Sequence, residues 1–108
     1  MDKETRKLYE MKAEVIEAIA HPIRLAIVDF LADGEQCVCD IARHVGAKRS
    51  NVSRHLAIML KTRVVDCRKD GLRVIYSLRT PCVAGFLACV TDILREQMQT
   101  DRRLLRRL

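Results

Sequence analysis

The residues of this chain best suited to chemistry are Cys37 and Cys39, two thiols separated by one valine. A soft thiolate pair selects soft or borderline ions such as zinc, cadmium, lead or trivalent arsenic over magnesium or calcium. Two sulfurs leave a tetrahedral zinc site incomplete, so further ligands must come from elsewhere in the chain, from a second subunit or from solvent. In an ideal helix, residues two apart point about 200° from each other, and capture of one ion by both sulfurs would then strain or unwind the turn that carries them. The competing reading makes both cysteines small buried fillers. Cys67 falls in a run of β-forming residues and reads as core. Cys82 and Cys89 stand seven positions apart, two helical turns along one face. That is too far for them to share an ion, but either one could supply a third ligand to the pair; packing is the other reading. Five cysteines without a secretory signal do not form a disulfide framework, because the cytosol keeps thiols reduced. Thiol redox or persulfide chemistry, drawing on Cys82 and Cys89, is the alternative use.

A second constellation is cationic. Lys48, Arg49, Ser50, Asn51, Ser53, Arg54 and His55 concentrate hydrogen-bond donors suited to guanine and adenine edges at the start of one helical segment. Arg68, Lys69 and Arg73 flank a turn from which they would lie along phosphates. Twenty Lys and Arg against fourteen Asp and Glu give a formal charge of +6, and its placement says more than its size. From Arg43 to Arg79 there are ten basic and two acidic residues, a net +8; the remaining ten basic and twelve acidic residues sum to −2. One segment therefore carries the whole positive excess, and a phosphate backbone is a common partner for such a stripe. His55 reads equally well as a side chain packed against the domain. His21 and His44 read as structural, and no histidine is assigned to a metal.

The elements that must position these groups follow from periodicity. Leu8, Met11, Val15 and Ile19 recur at steps of three and four, which predicts a helix from Lys3 to Ile19. Pro22 suits the first position of a second helix, about Ile23 to Leu31, ended by Asp33-Gly34. Short helices follow over Val38 to Val45, closed by Gly46, and Ser50 to Lys61, with the punctuation of a helix-turn-helix. In the latter, Val52, Leu56 and Met59 or Leu60 face inward as anchors. The pattern then changes to β-formers on either side of Lys69-Asp70-Gly71, a hairpin signal. After Pro81 a long helix resumes with Val83, Phe86, Leu87, Val90, Ile93, Leu94 and Met98. The expected fold is mainly α with a small β-hairpin: a winged helix-turn-helix of order α-α-α-α-β-β-α, one domain over 1–108. The final helix carries more apolar surface than one small domain covers, so the two terminal helices are expected to form a homodimer contact. With 49% hydrophobic but only 4% aromatic residues, the core must be filled by Leu, Ile, Val, Ala and Met. No apolar stretch approaches the roughly 20 residues of a membrane span. The charged N-terminus lacks a signal-peptide centre, and a cytoplasmic protein is expected. The tail from Arg102 to Leu108 extends the last helix, frays or contacts DNA.

Four blocks in order resemble the ArsR/SmtB family of metal-sensing repressors: His21 to Ile27, Glu35 to Ile41, Ser50 to Leu56, and Asp70 to Leu78. The resemblance runs from about Glu14 to Val90. It implies a dimeric winged-helix repressor that leaves double-stranded operator DNA when its ligand binds. The Cys-Val-Cys-Asp block is similar to that of arsenic-, antimony- and cadmium-responsive members, which implies trivalent arsenic or antimony as inducer, with cadmium, lead or zinc as alternatives. The chain departs from the pattern in three places. No cysteine stands near Ala42 or Arg43, where some arsenic sensors carry one. Met1 to Ala20 lacks the cysteines that complete cadmium and lead sites, which favours a three-coordinate metalloid. The His and carboxylate pairs of zinc sensors are not evident around Asp92 and Glu96. The chain offers no glycine-rich phosphate loop and no Cys-His-Asp pattern, so an enzyme is not expected.

Overall fold

The computed structural model describes residues 1–108. Helix α1, Lys3–Ile19, starts where Asp2 Oδ1 accepts the Thr5 amide at 2.7 Å, a side-chain cap for a first-turn N–H that has no partner within the helix. His21 begins α2, Pro22–Ala32, in the same way: its Nδ1 accepts the Ile23 amide at 3.1 Å and Pro22 takes the first helical turn. A two-residue strand β1, Gln36–Cys37, precedes α3, Val38–Val45. Gly46 closes α3 at φ 69°, in the left-handed region, and the Gly46 and Ala47 amides both donate to the Ala42 carbonyl. Helix α4 spans Arg49–Lys61, strands β2 and β3 span Val65–Asp70 and Arg73–Leu78, and α5 spans Cys82–Arg106.

Ile27, Val28 and Leu31 of α2 meet Val38, Ile41 and Ala42 of α3 and Val52, Leu56 and Met59 of α4, with Ile19, Val64 and Val65 closing the cluster. Every fully buried residue is aliphatic or methionine, as the scarcity of aromatic residues predicts. Val52, Leu56 and Met59 are the inward anchors of α4, while Leu60 is half-buried.

The predicted elements are all present, with one addition. Strand β1 is too short to leave a periodic signal, and it pairs antiparallel with β3, Gln36 opposite Tyr76 and Cys37 opposite Ile75. The sheet is therefore three-stranded in the order β1-β3-β2. At the hairpin tip Gly71 and Leu72 form the two-residue turn between the Asp70–Arg73 pair, and only Gly71 has positive φ, at 63°. This is the arrangement with glycine in the first turn position, not the one with Asp-Gly at both central positions. Beyond Val65 the strand β2 runs out of the core at the sheet edge, so Cys67 is exposed and not the core residue its β-forming neighbours suggest.

Both terminal helices stand proud of the core. The α1 stripe is helical as predicted, but only its end, Ala18 and Ile19, is covered; Leu8, Met11 and Val15 are exposed. No residue of α5 is buried, and its basic tail continues the helix to Arg106. The radius of gyration of 17.2 Å exceeds the ~13 Å of a compact chain of this length. No helix is long and apolar enough to cross a membrane.

Candidate nucleic-acid interface and thiol cleft

Helix α4 presents its predicted donors outward. Lys48, Arg49, Ser50, Ser53 and Arg54 are exposed and Asn51 half-buried, on the side opposite Val52, Leu56 and Met59. Lys48 occupies the N-cap in an extended conformation with no side-chain cap, and no acidic residue lies in the first turn. The first amides of α4 therefore point outward without an internal acceptor, beside a cationic rim suited to phosphate.

His55 differs from the rest of this row. Its Nδ1 accepts a hydrogen bond from Arg24 Nε at 3.0 Å, and its ring lies 4.5 Å from that of His21. Arg24 also donates to the Ala18 carbonyl at 3.1 Å. His55 thus ties α4 to the end of α1 and the start of α2. Burial above all, then the positive fields of His21, Arg24 and Arg54, hold its pKa below the ordinary histidine value.

The wing is cationic but partly compensated. Arg68 donates to both Glu35 oxygens, at 3.2 and 3.4 Å, and lies 3.8 Å from Asp70. The Glu35 hydrogen bonds and charge raise the Arg68 pKa further, so this residue fastens β2 to the segment before β1. Arg79 is similarly paired with Asp66 at 3.3 Å. Lys69 and Arg73, on either side of the tip, remain unpaired and exposed.

The thiol pair sits between these two elements. Cys37 is the last residue of β1 and the N-cap of α3, with φ −79° and ψ 158°; Cys39 is the second residue of the helix. The divergence expected of two helical residues therefore does not hold, because one of the two lies outside the helix. Both line a cleft of about 220 Å³ closed by Asp40 and Arg43 of α3, Arg49 of α4, and Leu72, Arg73 and Val74 of the wing. Cys37 is half-buried and Cys39 exposed, so neither is a sealed core filler. Cys82 and Cys89 are exposed on α5 and do not join them, and no three His, Cys, Asp or Glu side chains converge as a metal site within the chain. His44 is stacked on Phe30, ring centroids 4.0 Å apart, in a structural role.

Residues 21–66 match the profile of the bacterial regulatory protein, arsR family. An uncharacterized HTH-type transcriptional regulator of Mycobacterium tuberculosis is 35% identical over 92 residues, 84% of this chain and 81% of that protein. The chain belongs to the arsR family. The arsenical resistance operon repressor of Staphylococcus xylosus is 30% identical over 70 residues, 65% of this chain and 67% of that protein. Among solved structures, the homodimeric winged helix-turn-helix DNA-binding domain of a possible ArsR-family regulator from Mycobacterium bovis superposes with a TM-score of 0.79. It is 29% identical, and the match covers 93% of both chains. This ArsR-family chain is accordingly a winged helix-turn-helix transcriptional regulator. Sequence reasoning missed three of its features. The Arg24–His55 and Arg68–Glu35 contacts span 31 and 33 positions and leave no local signal. The third, the closure of the thiol cleft by Arg43, Arg49 and Arg73, depends on β1.

Proposed function

We propose that this protein is a homodimeric repressor that binds double-stranded operator DNA and is released when trivalent arsenic or antimony is held by Cys37 and Cys39. The observation that carries the reading is the placement of both sulfurs on one cleft, at the point where the helix-turn-helix begins and the wing is pinned. Lys48, Ser50, Asn51, Ser53 and Arg54 would enter the major groove, with Arg49 at the helix start and Lys69 and Arg73 of the wing on flanking phosphates. His55 supports α4 from behind and has at most one free ring nitrogen for DNA. Arg68 contributes charge while bonded to Glu35. Trivalent arsenic supplies three coordination positions; the two sulfurs fill two, and with no third ligand converging within one chain the last is left to the second subunit or to solvent.

Release follows from what Cys37 does before ligand arrives. Its backbone pairs with Ile75 of β3 and caps α3, so drawing its sulfur toward Cys39 works on the wing and on the helix pair at once. A small displacement of either is enough to spoil groove contacts held at hydrogen-bond distance. The exposed apolar faces of α1 and α5 fit the dimer reading. The homodimeric structure from Mycobacterium bovis supports that dimer, and the relative from Staphylococcus xylosus, an arsenical resistance operon repressor, supports the arsenic reading.

The test is titration of arsenite, antimonite, cadmium, lead and zinc into the protein bound to a fluorescein-labelled duplex from upstream of its own gene, followed by anisotropy at fixed salt. Arsenite and antimonite are expected to release wild-type protein at stoichiometric concentration, while Cys37→Ser and Cys39→Ser remain bound. Normal arsenite release from the double serine variant would place the sensor elsewhere.

A further inference from the structure

The thiol cleft has more positive charge than its ligand chemistry requires. Of the three arginines that line it, only Arg43 is paired with a carboxylate, Asp40 at 3.5 Å. Arg49 and Arg73 take part in none of the chain's ion pairs. They come from the first residue of the recognition helix and the first residue of the returning wing strand, and they share a cavity with an exposed sulfur. We infer that this cleft is an anion site shared by the operator's phosphate backbone and by Cys39, and that a small carboxylate-bearing thiol joined to Cys39 as a mixed disulfide drives the protein off DNA.

Cys39 is the more accessible of the pair and is the sulfur that reacts. Its thiolate attacks one sulfur of a low-molecular-weight disulfide. A new S–S bond forms on Cys39, the old S–S bond breaks, and the departing thiolate leaves with the electron pair and takes a proton from water. The carboxylate of the adduct is then tethered where its oxygens can accept charge-assisted hydrogen bonds from two unpaired guanidinium groups. A phosphate loses both partners. This route is direct competition for charge. It rests on Arg49 and Arg73 as phosphate contacts and needs no metalloid, although Cys39 once joined in this way cannot also hold one.

A charge series on one chemistry tests it. In full-length protein carrying Cys67→Ser, Cys82→Ser and Cys89→Ser, Cys39 is reacted with 3,3′-dithiodipropionate, 2-hydroxyethyl disulfide or cystamine. Adducts of nearly equal length but negative, neutral or positive charge result, and mass spectrometry locates them. Affinity for the promoter duplex is expected to fall about tenfold or more with the anionic adduct and to change little with the other two. The salt slope of binding should drop by about two for the anionic adduct, and dithiothreitol should restore both quantities. Equal loss with all three adducts would mean obstruction or unfolding, and no loss with any would mean that the tethered carboxylate does not displace a phosphate; either result overturns the inference. Cys39→Ala in the same background must be insensitive to the anionic reagent. Unreacted Arg49→Ala and Arg73→Ala proteins supply the separate control: full affinity in both removes the phosphate reading itself, whereas weakened binding in them beside a flat adduct series overturns only the competition at Cys39.

Discussion

His55 shows how a side chain on the recognition helix serves the fold before it serves DNA. With Nδ1 accepting from Arg24, the imidazole is neutral, and protonation would remove the acceptor and set a cation against Arg24, Arg54 and His21. The depressed pKa fixes the sign of a pH effect. As pH falls through about 6.5 the unfolded chain takes up a proton that the folded chain still refuses, so stability present above that pH is lost on the way down to the folded value. The urea midpoint is therefore expected to be lower at pH 5.5 than at pH 7.5, and the drop should shrink in His55→Gln, whose amide oxygen accepts from Arg24 at either pH. An identical drop in the variant would show that other groups set the pH response. At this scale the sequence is half legible. The spacing of Cys37 and Cys39 and the donor run from Lys48 to Arg54 are visible in the chain. The partners that fix roles are not: Arg24 and Glu35 carry no motif, and only tertiary folding reveals that His55 and Arg68 are already engaged.

Element boundaries were readable wherever capping chemistry is local. Pro22 and Gly46 mark the ends they are expected to mark. The end of α4 is less orthodox: Arg63 takes φ 64° where glycine is usual, the Val64 amide reaches back to the Met59 carbonyl, and the Arg63 amide to that of Leu60. A side chain in that conformation costs ~1–2 kcal/mol, against ~0.4–1 kcal/mol of extra unfolded-state entropy for glycine. Arg63→Gly is thus expected to raise stability by roughly 0.5–1 kcal/mol, measured as an increase in the urea midpoint at unchanged slope. A lowered midpoint would mean that the arginine has compensating contacts in solution. Strand β1 was illegible for a different reason. Two residues cannot display a period of two, and Cys37 becomes a strand residue only because β3 offers it an edge. The geometry of the thiol cleft depends on that pairing, so the junction on which the proposed sensing rests is also the one with the weakest local signal.

At the scale of the molecule, the unexplained quantity is apolar surface. Leu8, Met11 and Val15 on α1 and Phe86, Val90, Ile93, Leu94 and Met98 on α5 are all exposed in a single protomer. Burial of each large side chain is worth ~1.5–3 kcal/mol, so two helices that leave them in water gain from a second copy. Helix-turn-helix dimers read paired half-sites, and a monomer reading one loses most of the affinity. Ile93 lies on α5 and is 56% exposed, so Ile93→Glu should leave the protomer's own core intact. If the α5 face closes a two-fold dimer, every substitution enters the interface twice, and two unpaired carboxylates there cost several kcal/mol. Sedimentation at micromolar concentration is expected to show the wild type at twice the 12.4 kDa chain mass and Ile93→Glu at the chain mass. Far-ultraviolet dichroism should be little changed, and promoter affinity should fall by about a hundredfold or more. A variant that sediments as a dimer with undiminished affinity would move the subunit contact away from α5 and leave this apolar face to another partner.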